Sequence, residues 1–313
     1  MQLFNDIFPI VALASIGYLV ARFRLISSAD TDSLASFTFN LVIPCLLFLN
    51  IANAEVPANF GLDLLLAYYG AVLLAFVIAA LLAARLFGYG PASRSAFAMG
   101  ATYSNTTIVG IPLVLQTLGE AALLPLFILI ALQNLFLFVV ATISAEMRRG
   151  AGASVMHQLR QLLWQLVSSP LTGSLLLGLA FNLLDLPLHM AVENSVALVA
   201  QAAIPMALLV LGASLNQYTL RGEMPAAITL SLLKTVLLPL LVYLSCFRLF
   251  DLEPLWAATA LLASTLPSGV SAYVFATRYR ASQGTVAAGT LISTLFSLVP
   301  VILVLYYLYR FVL

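Results

Sequence analysis

Apolar runs of about 20 residues, each long enough to cross the hydrocarbon core of a bilayer as one α-helix, follow one another along almost the whole chain. Ten are predicted, at Leu3 to Arg22, Ser33 to Asn53, Leu62 to Phe87, Ser93 to Leu118, Ala121 to Ala145, Leu162 to Leu184, Met190 to Leu215, Met224 to Phe250, Pro254 to Thr277 and Thr285 to Arg310. They leave no room for a soluble domain, and only 8% of the 313 residues are charged, against about 25% in an ordinary soluble domain. The chain therefore reads as an all-α membrane protein of ten transmembrane helices. The first run has no basic leader and carries Asp6 ahead of its apolar stretch, so it is expected to be a retained helix rather than a signal peptide.

With ten spans, Arg22, Arg24, Arg85, Arg94, Arg148, Arg149, Arg160, Arg221, Arg278 and Arg280 fall on one side of the membrane, and only Arg248 and Arg310 on the other. Basic loops stay cytoplasmic, which puts both termini outside and the central loop 147–161 inside. That loop divides the chain into 1–146 and 162–313. From Val155 to Leu166 its apolar residues follow helical spacing, as an interfacial lead-in helix would.

Two spans, each the fourth of its half, are interrupted by helix-breaking residues at about mid-membrane depth. They read Ser104-Asn105-Thr106-Thr107-Ile108-Val109-Gly110-Ile111-Pro112 and Ser264-Thr265-Leu266-Pro267-Ser268-Gly269-Val270-Ser271. A break there leaves backbone polar groups that lipid cannot satisfy, so something polar must meet them. Paired interruptions in corresponding spans point to the substrate site of a secondary transporter. An offset of 161 residues aligns Pro9 with Pro170, Gly17 with Gly178 and Ile43-Pro44 with Ile204-Pro205, while Pro267 lies six residues short of the place that Pro112 would predict. Five spans per copy would make the two copies an inverted repeat about an axis in the membrane plane.

Near the bilayer centre fall Asn105, Thr106 and Thr107, Gln133 and Asn134, Lys234, Thr265 and Ser268, and Ser293 and Thr294. Polar groups at this depth face a cavity or a partner helix, although Ser and Thr also bond back to their own helix. Lys234 is the one charge near the centre of a span, and all twelve carboxylates fall near helix ends. It either ties down the crossing of the broken helices or serves substrate or coupling. Two crossing broken helices bring positive N-terminal half-helix ends to mid-membrane, where they can hold a carboxylate. A small organic anion is the expected cargo. Sodium or proton coupling stays open, and no cofactor, metal site or nucleic-acid partner is expected. Cys45, Cys246, His157 and His189 form no metal-ligand or catalytic set, so an enzyme is not expected. Small residues such as Gly17, Gly173 and Gly178 permit close helix contacts, within a chain or in a homodimer.

Asn105-Thr106-Thr107-Ile108-Val109-Gly110-Ile111-Pro112-Leu113 followed by Gly119 resembles the fourth-helix motif of the auxin efflux carrier family. Ile204-Pro205 with Gly212-Ala213-Ser214-Leu215, Lys234 with Pro239, and Leu266-Pro267-Ser268-Gly269 are similar to its seventh, eighth and ninth helices. The resemblance covers essentially the whole chain, and the bile acid sodium symporters are similar in layout. It implies two inverted five-helix repeats, with helices 1, 2, 6 and 7 as a scaffold that includes Pro44 and Pro205, and the remainder as a moving transport domain. It also implies Asn105 and Pro112 at the first crossing half and Pro267 at the second, with substrate between crossing and scaffold. Asn105, Thr106, Thr107, Gly110, Pro112, Gln133, Asn134, Thr265, Pro267, Ser268 and Gly269 are the candidate substrate-binding residues. Family members export indole-3-acetate in plants, and bacterial relatives are linked to malonate, malate and similar carboxylates. The expected activity is elevator-type efflux of such anions across a bacterial inner membrane. A sodium-coupled importer of larger organic acids and an anion-binding membrane sensor are the competing readings. The long hydrophilic loop of the long-loop plant exporters is missing, which argues against auxin itself.

Overall fold

The computed structural model describes residues 2–53, 62–146, 164, 170–215 and 223–312. The central loop 147–161 lies outside them, as does the expected lead-in helix apart from Trp164. All regular structure among the described residues is helical. It comprises α1 (Gln2–Arg22), α2 (Ser28–Phe37), α3 (Ile43–Ala52), α4 (Leu62–Phe87), α5 (Pro91–Thr102), α6 (Ile111–Leu118), α7 (Leu123–Glu146), α8 (Pro170–Leu183), α9 (Met190–Ala200), α10 (Ala203–Leu215), α11 (Met224–Leu232), α12 (Leu238–Leu244), α13 (Pro254–Thr265), α14 (Val270–Arg278), α15 (Gln283–Phe296) and α16 (Leu298–Phe311).

Five stretches are apolar and long enough to cross a membrane unbroken: Ser28–Ala52, Leu62–Phe87, Glu120–Glu146, Met190–Ser214 and Met224–Leu249. The pair α15 and α16, bent by 43°, makes a sixth when taken as one span. By contrast α5 and α13 have 12 residues each and α14 has 9. At about 1.5 Å per residue, none of these halves spans a hydrocarbon core of about 30 Å alone.

Three of the helices contain a widened, π-type turn at one fixed spacing from a proline. The turns Thr38–Val42, Thr106–Gly110 and Leu233–Leu237 each end two residues before Pro44, Pro112 and Pro239. Proline lacks the N–H of the helical ladder, and its ring clashes with the carbonyl four residues back. An extra residue in the preceding turn swings that carbonyl aside and lets the helix continue. Pro112 therefore widens its helix and does not break it. The break expected around it lies at Tyr103 to Asn105, seven to nine residues earlier.

The described residues group into two compact units. The first contains α1, α2, α3, α6, the start of α7, α8, α9 and α10. In it α1 lies along α10 so closely that a Cβ on Gly17 would strike the backbone of Leu209, and one on Gly212 the backbone of Ala14 and Tyr18. Pairing of α3 with α8 uses Gly178, where an added Cβ would lie 2.8 Å from the Phe48 carbonyl oxygen. A T-shaped contact of Phe48 with Phe181 at 5.3 Å and an Asn182 Nδ2 bond to the Ala52 carbonyl at 3.1 Å complete that contact. Gly17 and Gly178 thus serve helix contacts within one chain, and Gly173 has nothing within 4 Å.

The second unit contains α4, α5, the rest of α7, and α11 to α16. Its centre is wedged by Leu230 of α11, whose methyl groups face Gly100 of α5 and Gly289 of α15. Cβ atoms on those glycines would lie 2.7 and 2.8 Å from the leucine. In this unit α5 and α13, which end at Thr102 and Thr265, converge on the candidate site.

Candidate functional site

Chain leaving α5 becomes extended at Tyr103, with ψ 112°, and chain leaving α13 becomes extended at Leu266, with ψ 154°. Pro267 imposes the second change, because the residue before a proline is pushed out of the helical region. The two extended stretches run antiparallel and form one bridge, Ser104 with Ser268. The Asn105 N–H donates to the Pro267 carbonyl at 2.9 Å, and the Gly269 N–H to the Tyr103 carbonyl at 2.9 Å. Pro267 has no N–H to return the bond to Asn105, so the ladder stops there. Gly269 is required by packing, since a Cβ on it would lie 2.6 Å from the Tyr103 ring.

Side chains around the bridge hold its backbone. Gln133 Nε2 donates to the Ser104 carbonyl at 2.8 Å, and the Thr106 hydroxyl reaches Gln133 Oε1 at 3.4 Å. The Tyr103 hydroxyl donates to Asn134 Oδ1. On the other strand the Ser268 N–H donates to Ser293 Oγ at 3.0 Å, and Ser293 in turn donates to the Thr290 carbonyl. Lys234, in the widened turn before Pro239, is fully buried and donates from Nζ to the Ser264 carbonyl at 2.7 Å. That carbonyl belongs to the last turn of α13, where the helix dipole is negative and a cation is favoured.

Alternation along an extended strand gives the bridge two faces. Tyr103 and Asn105 share one, on which Asn105 keeps partial exposure, and Asn134 nearby is exposed. Ser104 and Ser268 share the other, and both are buried. Asn105, Thr106, Gln133, Asn134, Pro267, Ser268 and Gly269 are thus gathered at one junction in the second unit. Thr107 is part-exposed at the start of the helix beyond it. Thr265 is buried and bonds back to the Leu262 carbonyl of its own helix at 2.7 Å, a bond that occupies its hydroxyl proton. Gly110 and Pro112 belong to the first unit, on the helix that continues from Thr106, and take no part in the bridge bonds. Pro44 and Pro205 also lie in the first unit, in the first turns of α3 and α10. Sequence reasoning did not single out Tyr103 or Tyr68. The position of Tyr103 one residue before the break was the available signal for the first, and Tyr68, inside an unbroken apolar helix, offered none.

The family model described as "Membrane transport protein" matches residues 2–305. A Rhizobium meliloti (strain 1021) protein named "Putative malonate transporter" is 28% identical over 303 residues, covering 96% of this chain and 94% of that protein. A Methanothermobacter thermautotrophicus protein named "Uncharacterized transporter" is 23% identical over 299 residues, covering 94% and 95%. Together with the apolar helices, these matches define a membrane transporter, not an enzyme. The chain belongs to the auxin efflux carrier family, as the fourth-helix motif indicated.

Proposed function

We propose that this chain carries small organic anions, dicarboxylates of the malonate and malate class, across a bacterial inner membrane by elevator-type alternating access, with efflux as the favoured direction. The observation that carries the proposal is the junction of two interrupted helices in the second unit. The helices that restart beyond it, from Thr106 and from Val270, turn the positive ends of their dipoles toward the junction. Such ends hold carboxylates without a basic side chain. Asn105, Thr107 and Asn134, which keep exposed surface there, supply amide and hydroxyl donors. Lys234 is the only buried base among the described residues, and no carboxylate is among their buried residues. The malonate named for the Rhizobium relative fits an anion of this kind. An anion leaving a cell that is negative inside gains about 2.3 kcal/mol per charge per 100 mV, so efflux needs no driving ion.

Ten spans in two inverted repeats are the topology proposed, with both termini outside. Support comes from the breaks after α5 and α13, although the bridging partner of Ser104 lies three residues beyond the offset of 161. The division into two compact units supports a scaffold that includes α1, α2, α3, α8, α9 and α10 and a transport domain built on the crossing, with α6 and the start of α7 grouped in the first unit. Flux of radiolabelled malonate and malate from proteoliposomes tests the proposal. Asn105→Ala should lower the rate by at least about tenfold, the equivalent of about 1.4 kcal/mol. Wild-type flux in that variant would remove the site, and no flux of any small carboxylate in the wild type would remove the cargo class.

A further inference from the structure

A single hydrogen bond between a hydroxyl and an amide can run in either direction, but a chain of them that starts at a carbonyl cannot, because a carbonyl only accepts. Such a chain leaves the bridge at the Ser104 carbonyl. Gln133 Nε2 donates to it at 2.8 Å, which turns Gln133 Oε1 to the Thr106 hydroxyl. The Gln133 amide and the Ser271 hydroxyl also face the Tyr103 oxygen as donors. With both lone pairs of that oxygen so engaged, its proton is left for Asn134, and the acceptor there is Oδ1. Asn134 is exposed, its Nδ2 is thereby turned outward, and nothing among the described residues accepts from it.

Every member of the chain but the last is held in place. Tyr103 is 7% exposed and Gln133 3%, so water does not compete for their bonds. The Tyr103 ring lies against Gly269, where an added Cβ would come within 2.6 and 2.7 Å of two ring carbons, and the Gly269 N–H holds the Tyr103 carbonyl at 2.9 Å. The Asn134 side chain has no second bond among the described residues, so without the tyrosine its amide would turn over about the last side-chain torsion at little cost. Alternation keeps this array on the face that Tyr103 shares with Asn105, while the Ser104 hydroxyl faces Tyr68 of α4 on the other.

We propose that Tyr103 is a positioning residue: it fixes the Asn134 amide with Nδ2 toward the cargo, and the junction therefore selects a carboxylate over the corresponding primary amide. A carboxylate has acceptors on both oxygens, so either way round it meets the outward N–H. A primary amide has one acceptor and one donor group. Where the neighbouring groups are donors too, as the two restarting helix ends are, one side of that amide must set N–H against N–H. An Asn134 free to turn would escape the conflict by presenting Oδ1. The inference deepens the carrier reading and rests on its placement of the cargo at this junction.

Displacement of radiolabelled malonate from the purified full-length chain in detergent, by malonate and by its half-amide malonamate, gives the ratio of the two affinities. Tyr103→Phe, which keeps the ring on Gly269 and removes the hydroxyl, should lower the preference for malonate at least about fivefold, the lower end for a donor left facing a donor. The difference in charge between the two compounds is the same in both proteins and cancels. Asn134→Ala, at an exposed position, should lower the preference by a similar factor, and Tyr103→Phe added to it should change the preference no further, because the tyrosine acts through the amide. A tyrosine that only supported the fold would weaken both compounds together. An unchanged preference in either variant overturns the proposal, as does a further fall in the double variant, and Asn134→Ala carries the test if Tyr103→Phe fails to fold. Absence of any carboxylate binding removes the proposal along with the cargo class. A protein that binds malonate with this preference and moves none of it keeps the proposal and loses the carrier reading.

Discussion

Gln133 shows how much the junction depends on single amides. Its Nε2 is the side-chain donor to the Ser104 carbonyl, and its Oε1 faces the Thr106 hydroxyl. Gln133→Leu keeps the volume and leaves that carbonyl without its side-chain donor. We expect a loss of about 1–3 kcal/mol in thermal unfolding, together with loss of malonate flux. Lys234 was legible as an isolated mid-span charge, and its placement against the carbonyl end of a broken helix was one of the options its chemistry allowed. What the sequence could not indicate was which half-helix it meets, because that depends on the turn Leu233–Leu237 and α12 packing against α13. Serine and threonine were the least legible residues. Thr265 and Ser264 bond back to their own helix, whereas Ser268, with the same chemistry three residues on, does not. The side on which a bridge residue points separates them, and that side is fixed only when the second strand is in register.

At the scale of the helices, the prolines were legible as interruptions, but their effects differ. Pro267 lies inside a true break, while Pro44, Pro112 and Pro239 each follow a widened turn in a helix that goes on. The difference is one of neighbours: Ser268 and Gly269 can take an extended path, whereas Val236, Leu237, Leu238, Leu240 and Leu241 around Pro239 are all apolar. Pro239→Ala would let the turn Leu233–Leu237 tighten, which rotates Lys234 by about 100° away from the Ser264 carbonyl. It should therefore cost nearly as much stability as Lys234→Ala, and the double variant should be no worse than either single one. Additive losses in thermal unfolding would show that the turn and the lysine act independently. Close helix pairs give a second prediction. Gly212→Ala drives a methyl into the α1 backbone, which cannot yield. Gly100→Ala meets only the methyl end of Leu230, which can turn. The first should destabilise by about 1–3 kcal/mol and the second by less.

Across the whole molecule, the all-helical class and the location of the broken spans were readable because apolar length and proline-glycine chemistry are local properties. Assembly into two units was not readable from periodicity, because each unit combines segments from both halves of the chain. Orientation is open to a direct check. In a variant lacking Cys45 and Cys246, a cysteine replacing Leu186 should react with a membrane-impermeant maleimide on intact cells. One replacing Leu25, which is equally outside the spans and exposed, should react only after permeabilisation. The reverse pattern would invert the proposed topology. The junction itself has a consequence for life in a crowded membrane. Paired extended segments ordinarily invite further strands, yet the proline on one side stops the zipper after a single rung, and glycine beside it offers no side chain to template another. Two lengths of naked peptide can thus sit at the heart of a lipid-soluble protein without seeding growth into a sheet, and the carrier keeps its gap without the hazard that open edges bring.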